Sequence, residues 1–244
     1  MRRDALLAVL FLALFAALTV GLAMGGPLIE VDLAVHRWAE AHRPPIADTV
    51  ARGLNRLGQG GALLTICTLL AGWLAWVRLR AVRRAPHTGG QPGDPLGERL
   101  RGWWWVAAPL LYLGAAAVLL VPTVLLLKRV TERGAPSSPL PAEQVVPLWG
   151  HLPPGEYAAG FPGGHAANTV VWYGVALLFI TGLCRAYRRA GPPDWVRVTL
   201  RVGPPLIVLA TTTYLSFHWL TDSLAGIALG LAIDRLLALL RSRW

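Results

Sequence analysis

Long apolar runs constrain this chain more than any other feature. Six of them can be placed, from Ala5 to Met24, Gly61 to Val77, Trp103 to Leu127, Ala166 to Cys184, Val198 to Phe217 and Ser223 to Leu240. A helix needs about 20 apolar residues to cross the hydrocarbon core of a bilayer. The expected fold is therefore all-α, a single integral membrane domain over residues 1–244 with six transmembrane helices. Composition agrees. A chain of 244 residues that is 55% hydrophobic and 15% charged, with 11 Trp and a mean hydropathy of +0.49, is too apolar for a soluble globular domain. Arg2 and Arg3 give the first run the look of a signal peptide. The run is long, however, and Ala23-Met24-Gly25-Gly26 is a weak cleavage site, so it is read as a helix.

Arginines set the expected orientation. They cluster at Arg2 and Arg3, between the second and third runs from Arg78 to Arg101, between the fourth and fifth from Arg185 to Arg201, and at Arg241 and Arg243. In a six-span chain all these clusters share one side, which the positive-inside rule assigns to the cytoplasm together with both termini. The net charge of +10 then reflects topology and attraction to anionic headgroups rather than nucleic-acid binding. The Gly- and Pro-rich stretch 85–97 reads as a flexible cytoplasmic loop without chemistry. On the opposite side lie the loops 25–60 and 128–165 and the turn 218–222. Apolar positions between Asp32 and Gly58 alternate with Arg37, Arg43, Arg52 and Arg56. They predict amphipathic helices at the interface, broken at Pro44-Pro45, that cover the bundle or anchor it to headgroups. Cys67 and Cys184 fall at different depths and read as small core residues. There is no internal repeat, no Cys/His spacing for a metal and no Gly-rich nucleotide loop. The Arg-rich, Lys-poor composition fits a high-GC bacterial genome.

Two histidines stand at the expected outer ends of apolar runs. His165 closes Phe161-Pro162-Gly163-Gly164-His165, and His218 precedes Asp222 by four residues. At helical spacing Asp222 and His218 share a face. A carboxylate that accepts one ring N–H leaves the other nitrogen as nucleophile or base. Gly163 and Gly164 allow a turn whose N–H groups converge at a helix start, an anion pocket with His165 at its lip as proton donor. Lys128, the one lysine of the chain, ends the third run and offers a compact cation for phosphate.

These residues make the chain resemble the type 2 phosphatidic acid phosphatase superfamily. The first family motif is Lys, six residues, Arg-Pro; Lys128 and Pro136 match it, with Ala135 in the Arg position. The second is Pro-Ser-Gly-His; Pro162, Gly164 and His165 match, with Gly163 for Ser. The third is Ser-Arg, five residues, His, three residues, Asp; His218 and Asp222 match, with Thr211-Thr212 for Ser-Arg. The resemblance implies that His218 attacks phosphorus, Asp222 orients it, His165 protonates the leaving oxygen and Lys128 holds phosphate oxygens, with no metal or other cofactor.

Two guanidinium groups of the family's phosphate cradle are missing. One such donor is worth about 2.7–4 kcal/mol to the transition state. Arg129 and Arg133 are the nearest candidates to stand in, with Gly163, Gly164 and Thr212 as further phosphate contacts and His151 and Glu156 in the Pro-rich loop before them. The expected activity is that of a phosphatase or phosphotransferase on a lipid-linked phosphate or pyrophosphate at the extracytoplasmic leaflet. A less charged group such as a phosphodiester needs fewer cations than a monoester dianion. The alternative is a catalytically silent relative that binds or transports lipid, or scaffolds a partner.

Overall fold

A computed structural model describes residues 1–84, 95–150, 152–154, 156 and 160–241. Its helices are α1 (Arg2–Ala23), α2 (Pro27–Ala41), α3 (Pro45–Asn55), α4 (Gly60–Arg84), α5 (Pro95–Thr131), α6 (Ala142–Val145), α7 (Gly164–Ala186), α8 (Asp194–Tyr214) and α9 (Leu220–Arg241), with a 3-10 turn at Arg56–Gly58. The described residues contain no strand. The loop expected at 85–97 lies outside the described residues as far as 94, and from Pro95 the chain is helical.

Five of these helices, α1, α4, α5, α7 and α9, are long and apolar enough to cross a membrane. Leucines, valines and tryptophans such as Leu6, Leu69, Trp103, Val118 and Leu126 are exposed along them, a surface that suits lipid and not water. The chain is a multi-pass membrane protein. The sixth expected span, α8, does not meet that standard. Asp194, Arg197 and Arg201 occupy its first two turns, so its apolar stretch starts later than the sequence reading placed it. Pro109 and Pro122 lie inside α5, and Pro204 and Pro205 inside α8; neighbouring helices make such breaks tolerable in membrane proteins.

Helix α7 is the centre of the bundle. Ala167, Val171, Val175 and Phe179 on one face of it pack with Cys67 and Leu74 of α4, Ala116 and Leu120 of α5 and Leu229 and Ile233 of α9. Cys67 is thus a core residue, and its Sγ donates to the Trp172 carbonyl. The contact between α7 and α9 is closer than side chains would allow. In the small-xxx-small pattern Gly226-x3-Gly230, a Cβ on Gly226 would come within 2.2 Å of the Gly163 carbonyl oxygen. One on Gly230 would come within 2.9 Å of Val170 Cβ. Packing of this kind lets two backbones approach directly, and here it sets the start of α7 beside the start of α9.

The expected amphipathic helices are α2 and α3. Their break falls where the sequence places it, with Pro45 as the first residue of α3, a position that needs no N–H donor. Both pack on α8 at the end of the bundle where α7 and α9 begin. One face of α2 buries Asp32, His36 and Ala39, so two polar residues occupy what the pattern reads as an apolar stripe.

Candidate active site

His165 is the second residue of α7, and Gly163 caps that helix. The Gly163 N–H donates to the Asp222 carbonyl at 2.8 Å, which ties the two helix starts together. A Cβ at Gly163 would meet that carbonyl oxygen at 2.8 Å and Ser223 Cα at 3.0 Å. The place the family motif gives to serine is therefore held by the one residue without a side chain. Gly164 is more open, with its nearest neighbours Val124 and Lys128 at 3.6 and 3.9 Å from a built Cβ.

His218 does not share a helical face with Asp222. It sits in the loop before α9, whose first residue is Leu220. The loop is fastened from several sides: the N–H groups of Phe217 and His218 both donate to the Thr212 carbonyl, at 2.9 and 3.2 Å. Arg43 Nη2 donates to Ser216 Oγ at 2.6 Å, and the same oxygen lies 3.2 Å from His36 Nδ1. Ser216 itself has φ +58°, a left-handed conformation that costs a non-glycine residue roughly 1–2 kcal/mol and that these partners hold in place. Trp219 is buried, and its indole donates to the Gly134 carbonyl at 2.9 Å.

Asp222 is fully buried in the first turn of α9. Its Oδ2 accepts from the Trp219 N–H at 3.0 Å, reaching back to the helix start as the acidic member of a capping box does. Its Oδ1 is bound by Arg133 Nη1. His218 Nδ1 faces Oδ2 from 3.8 Å, close enough for an ion pair and too long for a hydrogen bond. That nitrogen is buried without a hydrogen-bond partner. The arrangement leaves Nε2 as the ring nitrogen for chemistry.

Behind Asp222 lies a polar network that sequence reasoning does not reach. The Arg133 side chain is wholly buried; Nη2 binds Asp32 Oδ2 at 2.7 Å, Nη1 also donates to Thr221 Oγ1 at 2.9 Å, and Nε donates to the Val146 carbonyl at 2.6 Å. Asp32 Oδ1 in turn accepts from the Thr221 N–H at 3.0 Å. Two carboxylates thus share one guanidinium and the positive end of α9, which is how charges survive burial. Burial raises the Asp32 carboxyl above its ordinary range, against the pull of Arg133 and the Thr221 hydrogen bonds.

Several of the site residues meet around one cavity. Lys128, Gly164, His165, Asn168, Phe217 and His218 line a space of about 320 Å³. The His165 and His218 rings are 6.2 Å apart between centroids and inclined at 60°. A second space of about 280 Å³ lies alongside, walled by Leu64 of α4, Leu120, Val121, Val124 and Leu125 of α5, and Gly164, Asn168 and Trp172 of α7. Gly164 and Asn168 line both. A pocket that holds Lys128 and both histidines therefore adjoins an apolar groove between α4 and α5.

Of the residues singled out by sequence, Lys128, Gly164, His165 and His218 line the pocket, and Asp222 stands directly behind His218. The others do not reach the lining. Arg133 faces away, committed to Asp32 and Asp222. Thr212 is buried, its hydroxyl donating to the Val208 carbonyl at 2.7 Å and lying 3.1 Å from Ser223 Oγ; its service is the carbonyl that holds the His218 loop. Gly163 packs on the Asp222 backbone, and Arg129 is exposed on α5. Glu156 lies 3.4 Å from Ser138 Oγ, and His151 is outside the described residues. Among the described residues, no arginine lines the pocket. Asp32, Asn168 and Phe217 were not among the sequence candidates. Asn168 follows His165 by three residues, one helical turn, and that spacing is the signal that could have found it.

Residues 105–244 match the profile of the PAP2 superfamily. The whole fold is similar to the crystal structure of the first transmembrane PAP2 type phosphatidylglycerolphosphate phosphatase from Bacillus subtilis. The likeness has a TM-score of 0.65 and 21% sequence identity, and covers 100% of this chain and 98% of that one. Comparison with curated proteins gives no match.

Proposed function

Because this chain belongs to the PAP2 superfamily, we propose that it is a membrane phosphatase or phosphotransferase that acts on a lipid-linked phosphate or pyrophosphate. The observation that carries this reading is the convergence of Lys128, His165 and His218 on one pocket beside an apolar groove. Lys128 and the two histidines suit a phosphate, and the apolar walls of the groove suit an acyl or polyprenyl chain.

In this reading Nε2 of His218 attacks phosphorus. A P–N bond forms as the bond to the leaving oxygen breaks, and His165 gives its proton to that oxygen. Water or an acceptor alcohol then attacks the phosphohistidine, His165 takes the proton back, and the phosphoryl group leaves His218. Lys128 and the N–H groups at the start of α7 neutralise charge on the phosphoryl oxygens. Asp222 faces Nδ1 and stabilises positive charge on the ring. The arginine clusters support an orientation with both termini in the cytoplasm and the pocket at the extracytoplasmic face.

Purified protein in detergent, assayed on phosphatidate, phosphatidylglycerolphosphate, polyprenyl pyrophosphate and lipid diesters, tests the proposal. Turnover lost in His218→Ala and His165→Ala supports it; turnover indifferent to both would sink it. The lack of arginine in the pocket lining favours a second reading, a silent family member that binds lipid. Under that reading the wild-type chain turns over nothing, and Ala135→Arg creates activity.

A further inference from the structure

Asn168 borders the pocket and the apolar groove at once. Its amide is held in one orientation. The Trp172 indole, on a buried ring, lies 3.2 Å from Oδ1. An indole N–H can only donate, so the amide oxygen must face it. The Nδ2 group is thereby turned to the other side, where it donates to the Gly58 carbonyl at 3.5 Å. Gly60 makes room for it, since a Cβ there would come within 2.5 Å of Nδ2. An amide nitrogen carries two hydrogens, and Gly58 engages one. The second is a donor that is already oriented and has the cavity lined by His165 and His218 beside it.

We propose that Asn168 is a substrate-recognition residue. Its free Nδ2 hydrogen binds a glycerol-ester oxygen of the lipid, outside the phosphate group, and so selects substrates whose apolar tail lies in the groove between α4 and α5. This rests on the reading of the pocket as a phosphate site. A neutral donor suits the place. A fixed cation beside an apolar wall carries a large desolvation cost, whereas an amide fixed by its neighbours binds without further ordering.

The test compares two substrates on full-length protein in detergent micelles: phosphatidate, and p-nitrophenyl phosphate, which has no tail. Asn168→Ala is expected to lower kcat/KM for phosphatidate about tenfold, the effect of one hydrogen bond, and to change hydrolysis of p-nitrophenyl phosphate, which has no glycerol-ester oxygen, by less than about twofold. Asn168→Asp keeps the acceptor for Trp172 and removes the donor, so it falls at least as far on phosphatidate. Equal losses on both substrates mark a structural role and overturn the proposal, as does an unchanged ratio. Binding gives a readout that needs no turnover. In His218→Ala protein, Asn168→Ala should weaken phosphatidate binding about tenfold and leave inorganic phosphate binding as it was; an unchanged phosphatidate affinity overturns the assignment. Wild-type turnover that depends on His218 but not on Asn168 removes only this inference, while turnover independent of His218 removes the reading of the site beneath it.

Discussion

Arg133 and Asp222 form an ion pair with no solvent access, and His218 Nδ1 approaches the same carboxylate from the other side at 3.8 Å. The guanidinium that lies nearest the motif position of the missing arginine is thus spent on orientation rather than on phosphate. It holds Asp222, Asp32 and the Val146 carbonyl in one place, and the loop bearing His218 is built on that foundation.

Removing this cation should damage the fold as well as the chemistry. In Arg133→Met the Asp32 and Asp222 carboxylates would be left buried without a counter-charge. Breaking a buried pair in this way costs about 3–5 kcal/mol, and a clear fall in Tm is expected in detergent. Arg133→Lys should recover little, because one ammonium cannot span the planar set of partners that a guanidinium reaches. A wild-type Tm in Arg133→Met would show that the network does not support the fold.

Asp32 gives the pH dependence. Its carboxyl is raised in the folded protein above its unfolded value by burial, so the folded state holds the proton more tightly than the unfolded state does. The resulting stability is fully present below the unfolded pKa of about 3.9. It is lost as pH rises through the higher folded value. Asp32→Asn removes this titration. The difference in Tm, wild type minus Asp32→Asn, should therefore fall as pH is raised from about 4 to neutrality. A difference that stays level or grows would contradict the assignment.

Much of this architecture is legible in sequence, because lipid imposes a length on every spanning run and the Pro44-Pro45 pair favours a helix start at its second residue. The apolar runs of α1, α4, α5, α7 and α9 and the break before Pro45 follow from such local rules. His165, His218 and Lys128 are legible for a different reason, as costly groups at the ends of apolar runs. What sequence hides is the partner of each group. Arg133 looks like a free cation five residues after Lys128, but its chain turns inward at Glu132, whose φ is +45°, and meets Asp32 from a helix about a hundred residues earlier. Four-residue spacing places His218 and Asp222 on one helix face, yet α9 begins between them. Distant pairings and helix boundaries are settled by packing, which no local spacing records.

Lys128 is the cation that lines the pocket, so its loss should be felt in chemistry. Lys128→Ala is expected to lower kcat about 10²–10³-fold on whichever lipid phosphate the wild type hydrolyses, the range seen when one donor to a transition-state oxyanion is deleted. Steady-state assay of the purified variant measures this. A loss smaller than tenfold would place the lysine off the phosphate.

The approach of α7 to α9 offers the most direct link from packing to catalysis. A Cβ on Gly226 would stand 2.2 Å from the Gly163 carbonyl oxygen, and neither partner is a flexible side chain that can step aside. Gly226→Ala must therefore push the two helix starts apart, at an overpacking cost of about 1–3 kcal/mol. His165 rides on one of these helix starts and His218 on the loop before the other, with ring centroids 6.2 Å apart, so a shift of even 1 Å alters the geometry of transfer. Misplacement on that scale can cost about 10²-fold in rate. Activity is thus expected to fall further than stability alone explains. Gly72→Ala on α4, where a Cβ meets nothing within 4 Å, serves as the control and should leave both Tm and turnover near wild type. Equal behaviour of the two variants would mean that the close contact between α7 and α9 does not set the distance between the histidines.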